Sequence, residues 1–420
     1  MQLTPARRLI ALCTLALGGF GIGTTEFATM GILPLAATEL VPGFDADPAA
    51  GIARAGWLIT AYALGVVVGA PLVSVWAARM SQRTLVLLLV AAFAVANLAS
   101  GLMPTFELTI AARFVAALPH GAYFGVASLL AARIMGPGRQ GAGVALALSG
   151  LTIANVIGVP LGTWLGQTAG WRWTYAAVAA IFLATLVLAW LFLPSQPGDP
   201  SRSARRELAA FRSPRLWLMI AVGCIGFGGF FAVYSYAAET VTRVAGLPEA
   251  AIAWLLATVG IGMTIGNAIG GWSSDRSIRR TILVAFPVLI GSLALFGLLG
   301  WHPVAMFALA FLIGGAGSVL TPAIQARIMG IAGDAELLGA AANHAAFNVG
   351  NALGAALGGA VIAAGLGYLA PAWIGVALAS TGFGLALWSL AVERGPDTAT
   401  HHVVATVLGP TTAGIEVVDR

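Results

Sequence analysis

The chain is a succession of long apolar runs, broken by short segments that carry nearly all of its charge. Most runs approach the roughly 20 residues needed to cross a bilayer as an α-helix. They are continuously apolar and do not alternate every second residue, so they read as helices and not as barrel strands. Only 9% of the 420 residues are charged and 59% are hydrophobic, whereas a soluble domain carries about 25% charge. A water-soluble fold of this length is excluded.

The approximate spans are residues 9–33, 56–76, 84–104, 108–131, 140–165 and 173–193, then 216–238, 250–272, 281–300, 304–326, 338–364 and 369–391. The run from Leu9 to Leu35 far exceeds the ~7–15 apolar residues of a signal peptide. It is also interrupted by Thr24, Thr25 and Glu26, so it reads as the first spanning helix. Twelve crossings place both termini on one side. If that side is cytoplasmic, seventeen arginines lie inside, Arg54, Arg172 and Arg243 lie outside, and Arg113 falls within the membrane. The positive-inside rule then fixes the orientation.

All 21 basic residues are arginines strung between the apolar runs, and the net charge is +5. Such spacing serves topology and does not build a nucleic-acid surface. Cys13 and Cys224 each sit inside an apolar run and read as packing residues, with no disulfide, metal or cofactor site expected.

The long polar stretch Pro194–Pro214, rich in Pro, Ser, Gly and Arg, reads as a linker between two halves. The expected domains are 1–193, a six-helix bundle; 194–215, a cytoplasmic linker; 216–392, a second six-helix bundle; and 393–420, a cytoplasmic tail. Ala132-Arg-Ile-Met-Gly136 recurs as Ala326-Arg-Ile-Met-Gly330 at an offset of 194. Asn155…Gly158…Leu161-Gly162 recurs as Asn351…Gly354…Leu357-Gly358 at an offset of 196. The loop Ala78–Arg83 aligns with Asp275–Arg280 at an offset of 197. A nearly constant offset marks an internal duplication. Duplicated parallel halves place a binding site near the midplane between them.

Gly271-Trp-Ser-Ser-Asp275-Arg276-Ser-Ile-Arg279-Arg280 resembles the G-x-x-x-D-R-x-x-R-R loop of the major facilitator superfamily. A turn dense in Asp and Arg can bond neighbouring helix ends and so act as a cytoplasmic latch, or it can serve topology alone. The N-terminal copy departs from that pattern, with Ala78 for the Asp and Gln82 for a basic residue. Gly21-Ile-Gly-Thr-Thr-Glu26-Phe-Ala-Thr-Met30-Gly31, Ala63-Leu-Gly65-Val-Val-Val-Gly69-Ala-Pro71, Arg113-Phe114 through Pro119-His120-Gly121, Gly150–Asn155, Gly170-Trp-Arg172 and Ala346-Phe-Asn348-Val-Gly350-Asn351 are similar to the arabinose-efflux-permease type. That type lies in the drug:proton antiporter branch of the superfamily. The resemblance covers nearly the whole chain and implies an all-α membrane protein with twelve transmembrane helices in two pseudo-symmetric six-helix bundles, the major facilitator fold. It also implies a bacterial inner-membrane transporter and an acidic residue in the first span that takes part in proton exchange.

Glu26 shares a helix face with Gly19, Ile22, Gly23 and Met30, and small residues there favour close packing inside the bundle. Desolvation disfavours the ionised carboxyl, so Glu26 can load and release a proton, or it can be a protonated side chain bonded to a neighbouring helix. Arg113 is costly within a span and needs a partner, unless it reaches the outer surface. The family pattern implies that it takes part in proton exchange. His120 lies seven residues further on and reads equally as a proton carrier or as a hydrogen-bonded structural histidine. Asn155, Asn343, His344, Asn348 and Asn351 put polar groups on spans five and eleven, where they can bind a polar solute or join helices. Gly158-Val-Pro160-Leu-Gly162 is a bent, small-residue seam similar to the antiporter motif of exporters, although the family motif has Gly and Pro adjacent.

Proton-coupled export of a small organic solute, a drug, sugar or nucleoside-like compound, is therefore the expected function. The expected coupling residues are Glu26, Arg113 and His120, and the expected latch is Asp275, Arg276, Arg279 and Arg280. The expected partners are the solute, protons and the lipid bilayer, with no nucleic acid and a monomeric state. Proton-coupled uptake uses the same hardware. A membrane-embedded enzyme is the remaining alternative, but the chain has no H-E-x-x-H, G-x-S-x-G or P-loop pattern.

Overall fold

A computed structural model describes residues 4–77, 80–136, 140–195, 212–332 and 336–392. The linker from 196 to 211 and the tail from 393 onward, expected above as polar segments, lie outside the described residues.

Helix starts are set by local chemistry. The Thr4 side chain accepts from Arg7 N at 3.3 Å with Pro5 just inside the first turn, and Ser81 accepts from Thr84 N at 3.2 Å. Thr105 accepts from Leu108 N at 3.4 Å. Each satisfies a backbone N–H that has no partner within its helix. Hydroxyls inside the apolar runs are satisfied by the carbonyl one turn back, as in Thr24 to Phe20 at 2.8 Å and Ser100 to Ala96 at 2.8 Å.

Span one is Pro5–Leu40 and span two is Trp57–Ala77 behind a short lead-in helix, Pro48–Ala55. Span three is Gln82–Leu102, and span four is broken at Leu118–Pro119 into Phe106–Ala117 and His120–Met135. Span five runs through Gln140–Ile153, a wide π turn at Ala154–Gly158, and Val159–Ala169. Span six is Trp171–Phe192. Span seven is Pro214–Tyr234, continued by Ala237–Glu239 and a second π turn at Thr240–Val244.

Among the described residues, eleven helices are long and apolar enough to cross a membrane. One of them, Ala250–Leu299, has 50 residues, about 75 Å of helix against about 30 Å of hydrocarbon. It bends at Ser277, whose backbone is extended, and so supplies spans eight and nine. Span ten is Pro303–Ala332, span eleven Glu336–Ala363 and span twelve Ala370–Val392. The chain therefore makes twelve crossings, as the sequence indicated.

Each half packs in the same way. Spans one and five, one and six, two and four, and three and six are neighbours, as are seven and eleven, seven and twelve, eight and ten, and nine and twelve. Glycine supplies the tightest crossings. A Cβ on Gly65 would meet Phe114 O at 2.3 Å, and one on Gly69 would meet Leu118 O at 2.1 Å. At an offset of 197, Gly262 faces Phe311 O at 2.3 Å and Gly266 faces Gly315 O at 2.1 Å. The duplication in the sequence is thus a duplication of packing geometry.

The outer surface is apolar. Trp57, Trp164, Trp173, Trp254, Trp301 and Trp373 are exposed toward the face opposite the N-terminus, and Trp190, Trp217, Trp272 and Trp388 toward the N-terminal face. Two such belts mark the membrane interfaces.

Candidate functional site

The two halves meet mainly toward the face opposite the N-terminus. The Phe27 ring of span one stacks on Phe231 of span seven at 6.2 Å and meets the edge of Tyr234 at 5.8 Å. Gln167 Nε2 donates to Glu249 O at 2.8 Å, joining spans five and eight. The Tyr236 hydroxyl donates to Ala355 O at 2.6 Å and abuts Gly56. Nearer the midplane, Phe124 of span four stacks on His344 of span eleven at 5.1 Å.

Glu26 lies on span one beside this seam and is 5% exposed. Its carboxyl is within Coulombic reach of Arg113, Tyr62 and Tyr234, and within reach of the Asn351 side chain from the other half. Gly19 and Gly23, on the same face, pack against span five, where a Cβ would meet Ala147 O at 3.4 Å and the Ala154 Cβ at 2.7 Å respectively.

Arg113 is fully buried, so it does not reach the outer surface. Its hydrogen-bond partner is not the Glu26 carboxylate but the neighbouring residue: Nη1 donates to Thr25 Oγ1 at 2.9 Å and Nη2 to Thr25 O at 3.1 Å. The Thr25 hydroxyl in turn donates to Asn97 Oδ1, and Asn97 Nδ2 is tied to Phe93 O at 2.8 Å. The guanidinium lies 4.3 Å from the Tyr62 ring centroid and 5.2 Å from that of Tyr175. Two aromatic faces and a threonine therefore hold the cation in place of a salt bridge.

Leu118 and Pro119, between Arg113 and His120, keep right-handed helical backbone angles. Tyr62 links the two, because its ring faces the guanidinium and its hydroxyl is 3.2 Å from His120 Nδ1. His120 is buried, with the His344 ring 6.3 Å away.

The asparagines are enclosed and incompletely bonded. Asn155 Nδ2 donates to Leu151 O at 3.0 Å and Asn348 Nδ2 to His344 O at 3.0 Å, but among the described residues neither Oδ1 atom has a donor. Within the same set Asn351 Oδ1 is likewise unbonded, as are both polar atoms of the Asn343 amide. An unsatisfied buried polar atom costs about 1–3 kcal/mol, so this group is poised for polar partners.

Gly158, Pro160 and Gly162 follow the π turn of span five. A Cβ on Gly158 would strike Thr24 Oγ1 at 2.2 Å, and one on Gly162 would approach the Ala28 Cβ at 3.1 Å. The seam therefore packs on span one, above and below the level of Glu26. The loop residues Asp275, Arg276, Arg279 and Arg280 are exposed and lie apart from this site at the N-terminal face. Arg276 stacks on Trp272 at 3.8 Å and donates to Trp272 O at 3.1 Å.

Sequence reasoning did not identify Tyr62, Thr25, Asn97, Tyr175 or Tyr234, because each belongs to a different span and no local pattern links them. Nor did it single out a second buried acid. Glu239, in span seven near the far face, has a side chain only 2% exposed and pairs with Arg243 Nε at 2.5 Å. The signal was present in the apolar flank of Glu239 and in the i, i+4 spacing to Arg243.

A family model described as Major Facilitator Superfamily matches residues 15–248 and again 233–412. The chain is 35% identical over 387 residues to the "Inner membrane transport protein YdhP" of Escherichia coli (strain K12), covering 92% of this chain and 97% of that protein. It is 33% identical to the "Chloramphenicol resistance protein" of Streptomyces lividans, covering 87% and 92%. Among solved structures, the "Crystal structure of D-xylose-proton symporter" superposes with a TM-score of 0.70 at 17% identity, over 91% of this chain and 97% of that one. With twelve spans repeated as two like bundles and a family match to each, the chain belongs to the Major Facilitator Superfamily, in its drug and arabinose efflux branch.

Proposed function

We propose that this transporter exports a small organic solute across the bacterial inner membrane in exchange for protons, by rocking of residues 1–193 against residues 216–392 as a monomer. The observation that carries the reading is the enclosed Glu26 carboxyl on the seam between the halves, beside Arg113 and facing Asn351 of the opposite half. A carboxyl that contacts both halves changes its surroundings whenever they move. It can therefore be offered to one side protonated and to the other side ionised. Its likeness to a chloramphenicol resistance protein supports export over uptake.

In this reading Arg113 holds positive charge beside Glu26 and favours release of its proton, while Tyr62 extends the polar path to His120. Asn155, Asn343, Asn348 and Asn351 supply unbonded amide groups to the solute. Both termini and the arginine-rich loops face the cytoplasm, as the charge distribution requires. The contacts near Phe27, Tyr236 and Gln167 then close the periplasmic side. When the cytoplasmic side shuts in its turn, Asp275 with Arg276, Arg279 and Arg280 latches it. Inward proton flow supplies about 2.3 kcal/mol per charge per 100 mV of membrane potential.

Everted vesicles carrying the protein test the coupling. Chloramphenicol, a pentose or a nucleoside added to energised vesicles should release protons from the lumen in the wild type, and Glu26→Gln should abolish that release while inserting normally. Unchanged solute-driven proton release in Glu26→Gln would remove Glu26 from the mechanism.

A further inference from the structure

We infer that a groove on the lipid-facing side of spans eight, nine and ten, at the N-terminal face, is a seat for one anionic phospholipid. The inference does not depend on the direction of transport or on the solute.

The groove has a volume of about 710 Å³ and, among the described residues, is open on its outer side. Its floor is the crossing of spans eight and ten at Gly262, Gly266 and Gly315, where the missing side chains let the two backbones touch. Its walls are Ile265, Ile269, Val284, Val288 and Leu312, all lining residues and all exposed, with Val284 at 64%. On a membrane-spanning surface such side chains meet acyl chains. The apolar trough rules out a polar metabolite as its occupant, because nothing along the trough would replace the lost hydration of that metabolite.

The mouth has the opposite character. Arg276 and Arg280 line it, and Arg276 is held in place by stacking on Trp272. Asp275 and Arg279 are the other charged groups of this turn, so it carries an excess of two positive charges. Among the described residues none of the four forms an ion pair. Three guanidinium groups against one carboxylate thus leave net positive charge on this turn at the level of the headgroups, beside an interfacial tryptophan.

Length completes the argument. From Gly262 to Arg276 the groove follows fourteen residues of helix, about 21 Å. One leaflet contributes about 15 Å of hydrocarbon, and a phosphate headgroup accounts for the remainder. An acyl chain in the trough thus brings its own phosphate to the two guanidinium groups, which bind phosphate oxygens through paired N–H donors.

Native mass spectrometry of the full-length protein, delipidated and then titrated with phosphatidylglycerol or with phosphatidylcholine of the same chain length, tests the proposal. The wild type should hold the first phosphatidylglycerol about tenfold more tightly than phosphatidylcholine. Arg276→Gln with Arg280→Gln should reduce that preference to about twofold or less. Val284→Trp, which fills the trough, should weaken both lipids while the protein elutes and melts as the wild type does. Equal affinity for the two lipids in the wild type would overturn the proposal. So would an undiminished preference in the double arginine variant, or undiminished binding in Val284→Trp. Dimers that persist with lipid and vanish with Val284→Trp would make the groove a seam between two copies, and the lipid seat would be discarded.

Discussion

Thr25 joins spans one, three and four through Asn97 and the Arg113 cation, and replacing it with valine tests whether that link organises the site. The valine keeps the shape and loses the hydroxyl. One hydrogen bond from Arg113 Nη1 at 2.9 Å disappears, and Asn97 Oδ1 loses its donor. A bond to a charged group contributes about 1.5–3 kcal/mol, and an orphaned buried acceptor costs about 1–3 kcal/mol. Arg113 keeps the Thr25 carbonyl at 3.1 Å and the Tyr62 face at 4.3 Å, so the loss is partial. The expected destabilisation is about 2–4 kcal/mol for Thr25→Val, and under about 1 kcal/mol for Thr25→Ser, which retains the hydroxyl.

A double-mutant cycle with Arg113→Met, read by reversible unfolding in mixed detergent, isolates the pair. Its coupling energy should be about 1.5 kcal/mol or more, against an average near 0.6 kcal/mol for neutral polar pairs between membrane helices. A coupling energy below about 0.5 kcal/mol, or a serine variant as damaged as the valine one, would refute the account of how the cation is held.

Three further tests address the packing and the seam. Gly150→Ala places a Cβ 1.8 Å from Ala16 O and should cost about 3 kcal/mol or more in melting experiments, whereas Gly384→Ala, with nothing within 4 Å, should be neutral or slightly stabilising. Arg243→Met leaves the buried Glu239 carboxylate without its partner, and because Arg243 is itself partly exposed the cost should be about 1–2 kcal/mol. Adding Glu239→Gln should restore most of that loss, and a double variant no more stable than the single one would dismiss the pair. In a background with Cys13 and Cys224 replaced, Gln167→Cys with Glu249→Cys should react with a short bifunctional thiol reagent and stop solute-driven proton release. Full activity after complete cross-linking would show that these spans need not separate.

The fold was legible because hydropathy and arginine placement act through the bilayer, which imposes one length and one charge rule on every span. The duplication could also be read from recurrences such as Ala132–Gly136 and Ala326–Gly330, and Gly65, Gly69, Gly262 and Gly266 are its counterpart in packing. The site was legible only in part. Glu26 and Arg113 stood out as ionisable groups in apolar runs, but the Thr25 bonds that hold the guanidinium could not be read from the sequence. Tyr62 and Tyr175 look like ordinary aromatic residues in their own spans and acquire meaning only when two helices bring them to opposite sides of a guanidinium. Leu118–Pro119 was the visible cue to a turn in span four, across which Tyr62 joins Arg113 to His120.

The wide turn at Ala154–Gly158 has a mechanical consequence. Gly150, Ala154, Gly158 and Gly162 recur every four residues, and all contact span one. In a regular α-helix that spacing drifts by about 40° at each step, so the row would wind away from its partner. One additional residue in the turn resets the drift and keeps both ends of span five against the same neighbour. Closing the bulge would twist the segment before Ala154 by about 100° relative to the segment after Gly158. Gly150 would then leave Ala16 while Gly162 stayed against Ala28. Such a closure would make span five a rod with a swivel at its middle, releasing one end of the bundle without disturbing the other.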